Sequence, residues 1–118
     1  KLKQCDIYSV IVSTDITSRA QKAMKALKID KYFTKIIGGD LVNNSKPAPD
    51  LARLALSGID CETNSVVVIG DHPVDVKMGE SINAGLNIGV LTGLSNSTMF
   101  DNLNCIVIND LNCIKVSC

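Results

Sequence analysis

The chain has 118 residues, which suits one domain or a large part of one. Hydrophobic residues make up 46% of it with only two Tyr, two Phe and no Trp, so the core must be aliphatic, a mix that favours strands buried on both faces over an antiparallel sheet with one wet face. Twelve basic residues balance twelve acidic ones, which leaves no global field to draw the chain to nucleic acid or to a membrane surface.

Residues 1–4 (KLKQ) do not lead into a signal peptide, and no apolar run reaches the roughly 18 residues of a membrane span, so a cytoplasmic location is expected. Residues 8–12 (YSVIV) are the first β-branched run and predict a strand. From Ile16 onward, Ala20, Ala23, Met24 and Leu27 recur at helical spacing, with Lys22, Lys25 and Lys28 on the wet side. Thr14 or Thr17 can cap that helix. Residues 35–37 (KII) form a weaker run, either a short strand or a turn. Pro49 can open a second helix at its first turn. Asp50 then sits near the positive end of the dipole, and Leu51, Leu54 and Ala55 form the buried stripe until Gly58.

Residues 65–69 (SVVVI) predict the next strand, and a third helix should run from about Pro73 to Ile82. Residues 86–90 (LNIGV) and 105–108 (CIVI) are further runs, separated by loop or irregular helix over 94–104. Each run is continuous rather than alternating, as buried parallel strands are. Strand alternating with helix predicts an α/β, Rossmann-like parallel sheet with flanking helices. The five cysteines, at 5, 61, 105, 113 and 118, are odd in number and include no CxxC pair. Reduced thiols are therefore expected, without a disulfide framework or a zinc site.

Ligands bind open parallel sheets at the carboxyl ends of the strands. Those ends carry Ser13 and Thr14 after the first run and Gly70 and Asp71 after the 65–69 run. Lys46 precedes a helix, and Asp75 follows Asp71 by four residues. A hydroxyl, an ammonium and two carboxylates suit phosphoryl transfer. The hydroxyl and backbone amides hold phosphoryl oxygens, Lys offsets their charge, and the carboxylates hold a cation. Two carboxylates about 4 Å apart repel by ~4 kcal/mol at an effective dielectric near 20. A hard cation relieves that repulsion, and oxygen ligands beside phosphate favour Mg²⁺. Taken singly, the residues have plainer readings. Ser13 and Thr14 can be helix caps, Lys46 a surface lysine, Asp71 and Asp75 turn residues, and His72 a loop residue.

In order and context, these residues resemble the phosphoglycolate-phosphatase-like branch of the haloacid dehalogenase superfamily. Val12-Ser13-Thr14 is similar to that family's second motif, a strand ending in Ser or Thr. Tyr32-Phe33 followed by IIGGD at 36–40 resembles the stretch before the third motif, and SKPAPD at 45–50 its Lys-Pro-x-Pro form. VIGDHPVD at 68–75 resembles the GDxxxD fourth motif, and IGVLTG at 88–93 the strand and loop that follow it.

The resemblance implies one partial core domain over 1–118, carrying the second, third and fourth motifs. It implies a Mg²⁺-dependent phosphatase acting on a small phosphorylated metabolite through an aspartyl-phosphate. Ser13 and the Thr14 amide would bind the phosphoryl group, and Lys46 would offset charge on it and on the attacking carboxylate. Asp71 would coordinate Mg²⁺, and Asp75 would bind it or orient its waters.

The family's first motif, a strand ending in DxDx(T/V) that supplies the nucleophilic Asp, is not among these residues, and neither is the cap domain that selects substrate. The only acid before Ser13 is Asp6. In the complete fold that strand lies mid-sheet, between strands this chain has. The chain alone is therefore expected to be inactive, with exposed sheet edges able to self-associate. Gly79 replaces a common Ala, and Asn83 can be an αL cap to the third helix. A two-component receiver domain uses similar groups, but its acidic pair comes first in the chain and its Lys last. The alternative from another class is a non-catalytic remnant acting as an interaction or structural protein.

Overall fold

The computed structural model describes residues 1–118. Strands β1 (Val10–Ser13), β2 (Lys35–Gly38), β3 (Val67–Gly70), β4 (Leu86–Val90) and β5 (Ile106–Ile108) alternate with helices α1 (Thr17–Ala26), α2 (Asp50–Leu56) and α3 (Pro73–Ser81). Every pairing is parallel. Val12 lies opposite Ile37, Ile69 opposite Ile88, and Ile88 opposite Ile106. The weak run at 35–37 becomes a strand because β1 offers it a complete edge.

The strands form two sheets, β1 beside β2, and β4 between β3 and β5. Val10, Ile11 and Val12 of β1 and Val67, Val68 and Ile69 of β3 line a cleft of about 550 Å³ between them. Side chains, not backbone bonds, hold the halves together. Ile37 of β2 packs with Leu51, Ala52 and Ala55 of α2 and with Met78 and Ile82 at α3. Leu51 and Val76 are wholly buried. Burying a Leu or Met side chain stabilises by about 1.5–3 kcal/mol, so this small cluster helps tie the halves across the cleft.

The split changes the burial pattern expected from composition. Only β4, which has a strand on each side, is buried along nearly its whole length. On β3 the burial alternates, leaving Val67 51% and Ile69 44% exposed, because the cleft runs along that strand. Helix α1 has no buried residue, and Leu27, expected in its stripe, is 65% exposed. Its sheet is only two strands wide, too narrow to cover the whole apolar stripe.

The helix ends follow local chemistry. Ile16, not Thr14 or Thr17, occupies the N-cap position of α1 and makes no side-chain cap. Thr17 instead donates its hydroxyl to Asp40 Oδ1 at 2.7 Å and accepts from the Gly38 N–H. Pro49 is the N-cap of α2. At the end of α3, Asn83 adopts φ 55°, and the Asn83 and Ala84 N–H groups bond the carbonyls of Glu80 and Gly79. That is the reverse turn a left-handed residue makes possible.

The cysteines depart from expectation. Cys5 and Cys118 form a disulfide, while Cys61, Cys105 and Cys113 are free. The spacing gave no hint of it, because the two residues are 113 positions apart and only folding brings their Cα atoms to 5.2 Å. The Cys105 thiol is pushed up from its ordinary value by burial and, secondarily, by the Glu80 charge.

Candidate functional site

The carboxyl ends of β1 and β3 meet around one lysine. Lys46 reaches from the loop before α2 and donates its Nζ to the Val12 carbonyl at 2.9 Å, one residue before Ser13. The same Nζ pairs with Asp75 Oδ1 at 2.6 Å, in the first turn of α3. Three segments spread over residues 12–75 thus converge on one atom. The side chains of Lys46 and Asp75 are only 10% and 11% exposed, so water screens the pair weakly. A nearly buried pair of this kind costs several kcal/mol to break from one side, since the remaining charge is left unpaired.

Local chemistry fixes Asp75 further. His72 caps α3, its Nδ1 accepting from the Val74 N–H, while Asp75 Oδ2 accepts from the His72 N–H at 3.3 Å. This reciprocal capping box holds the helix start and the carboxylate together. A Cβ on Gly70 would overlap the Asp75 carboxylate, so glycine at the end of β3 is what lets Asp75 fold back toward Lys46. His72, whose role the sequence left open, is a cap.

The other residues surround this centre. Ser13 ends β1, and its Oγ accepts from the Asp15 N–H at 3.1 Å, which leaves the hydroxyl hydrogen free to donate. Thr14 follows it and is exposed. Asp71 follows Gly70 directly, is exposed, and its carboxylate makes no hydrogen bond to the protein. Ser13, Thr14, Lys46, Asp71 and Asp75 therefore stand at the same end of the two sheets, and of these Lys46 and Asp75 line the apolar cleft.

No group of three His, Cys, Asp or Glu residues gathers there. The donor set still suits Mg²⁺, which keeps several waters and takes one or two carboxylates together with phosphate oxygens. Asp71 is the free carboxylate. Asp75 already has a partner on each oxygen, which fits orienting water and Lys46 better than direct ligation. That pairing was not legible in the sequence, where the two residues lie 29 positions apart.

Residues 1–90 match the family model described as haloacid dehalogenase-like hydrolase. The chain belongs to that family. It is 34% identical over 79 residues to the pyrophosphatase PpaX of Listeria welshimeri, a match covering 64% of this chain and 36% of that protein. It is 32% identical over 85 residues to PpaX of Bacillus velezensis, covering 72% of this chain and 38% of that one. A family IA haloacid dehalogenase hydrolase from Entamoeba histolytica shares the fold with a TM-score of 0.83 at 23% identity. That alignment covers 98% of this chain and 52% of the other, so the chain spans about half or less of the length of these relatives. No helix is long and apolar enough to cross a membrane.

Proposed function

We propose that the longer protein is a Mg²⁺-dependent phosphatase acting on a small phosphorylated metabolite through an aspartyl-phosphate. The observation that carries this reading is Lys46, held between the end of β1 and Asp75. Its ammonium is fixed beside Ser13, where a phosphoryl group would need both a hydroxyl donor and a positive charge. The Ser13 hydroxyl and the Thr14 amide donate to phosphoryl oxygens, Lys46 offsets their charge, and Asp71 holds the cation. Asp75 keeps Lys46 aimed and orients water at the metal. Bound Mg²⁺ supplies positive charge against the phosphoryl oxygens as the bond to the leaving group breaks.

None of these residues is free to attack phosphorus, because Asp71 is committed to the cation and Asp75 to Lys46. In the haloacid dehalogenase family the nucleophilic carboxylate comes from the DxDx(T/V) strand, which is not among these residues, and the apolar cleft between β1 and β3 would receive it. Electrostatic and binding groups without their nucleophile retain only ~10³–10⁴-fold catalysis. Phosphate-monoester hydrolysis needs up to ~10²¹-fold, so these 118 residues by themselves do not turn over usefully.

The name of the relatives makes inorganic pyrophosphate one substrate to try, beside p-nitrophenyl phosphate and 2-phosphoglycolate. In the full-length native protein, Asp71→Ala and Lys46→Met should each lower Mg²⁺-dependent kcat/KM by about 10²–10³-fold. Unchanged turnover in either variant contradicts the assignment. A full-length protein without turnover, whose purified chain pairs stably with itself or another protein, supports the non-catalytic alternative.

A further inference from the structure

Gly93 lies in the loop after β4, outside every segment assigned a role above. A Cβ built on it would lie 2.8 Å from Asp71 Cγ and 2.9 Å from Asp71 Cβ, and would also overlap Oδ2. Distances below 3 Å are closer than carbon atoms pack, and here they involve the root of the side chain as well as its tip. An alanine at 93 therefore cannot be accommodated by a small twist of the carboxylate. The backbone of Gly93 is not left-handed, a conformation found among the glycines only at Gly58. No conformational demand at 93 calls for glycine, and what remains is the close approach to Asp71.

We propose that Gly93 is a positioning residue for Asp71. Its bare Cα is the wall against which the Asp71 side chain rests, fixing the direction in which an otherwise unbonded carboxylate presents its oxygens. The inference deepens the reading of Asp71 as the cation ligand and rests on it for its functional meaning. The logic repeats that of Gly70, whose missing side chain makes room for Asp75. Each carboxylate of the pair has a glycine seat, one at the end of β3 and one from the loop after β4. Asp75 has hydrogen bonds to hold it as well, whereas the Asp71 carboxylate makes none and rests against Gly93. The seat at 93 should therefore matter more for geometry than its position in a surface loop suggests.

The test uses Gly93→Ala, with Leu94→Ala as control, because Leu94 is fully exposed in the same loop. Scalar couplings across the Asp71 Cα–Cβ bond, measured without metal, report its side-chain rotamer directly. The proposal expects one dominant rotamer in the wild type and in Leu94→Ala, and a different or averaged one in Gly93→Ala with the melting temperature little changed. An unchanged Asp71 rotamer in Gly93→Ala overturns it, as does an equal change in Leu94→Ala. Mg²⁺ titration of the same proteins then reads the consequence, a loss of about 10–100-fold in affinity for Gly93→Ala, the range seen when the support of a metal ligand is removed. A shifted rotamer in a chain whose wild type shows no Mg²⁺ response at residues 70–75 keeps the positioning role and refutes the metal reading of Asp71.

Discussion

Asp40 fastens the start of α1 with a single oxygen, which accepts from the Thr17 N–H at 2.6 Å and the Thr17 hydroxyl at 2.7 Å. The side-chain bond first, and the backbone bond second, hold the Asp40 carboxyl below its ordinary range. The folded state therefore favours the ionised form. Stabilisation from this group is fully present above the unfolded carboxylate range and is lost as pH falls through the lowered value. Asp40→Asn removes that component. Urea midpoints measured from about pH 6 to pH 2 should fall more steeply for the wild type than for the variant, and equal slopes contradict the pairing. Nothing local in the IIGGD stretch marks Asp40 as a partner of Thr17, because the two lie 23 residues apart. The places of Ser13 and Asp71 at strand ends were legible because a β-branched run precedes each. The pairing of Lys46 with Asp75 was not, since sequence order carries no distance.

Helix α3 packs on β3 and β4 through an unusual pair of residues, Gly79 and Asn87. Asn87 is 3% exposed, and its Nδ2 donates to the Asn104 carbonyl while its Oδ1 has no partner. A Cβ on Gly79 would overlap that oxygen and lie 2.8 Å from Asn87 Cγ. The glycine that departs from the common alanine is thus explained by the amide beneath it. In an open helix Gly→Ala stabilises by about 0.4–1 kcal/mol, but here overpacking should dominate at about 1–3 kcal/mol. Gly79→Ala should lower stability by roughly that amount, and Asn87→Ala in the same chain should recover much of it, as the two sites touch. Chemical denaturation of the single and double variants decides, and a neutral or stabilising single variant contradicts the packing. The strands were legible because β-branched runs announce themselves locally. The burial of β3 and α1 was not, because it depends on which neighbours stand beside them.

At the scale of the molecule, two parallel half-sheets share a core on α2 and α3 and leave the inner edges of β1 and β3 unpaired. Backbone groups left without partners cost about 1–3 kcal/mol each when buried, and apolar strand edges invite pairing with another chain. Light scattering on the purified chain should therefore show dimers or larger species that grow with concentration, and a strict monomer at high concentration contradicts this. The α/β class could be read from alternating patterns, whereas the split in the sheet follows from which strands stand next to one another. The carboxyl ends of β1 and β3 are proposed to form one site for Mg²⁺ and phosphate. An amide NMR titration of this chain with MgCl₂ and inorganic phosphate tests it most directly. Shifts should centre on residues 70–75, with a second group at Ser13, Thr14 and Lys46, and Asp71→Ala should abolish them. Shifts centred elsewhere, or a response that survives Asp71→Ala, would contradict the claim.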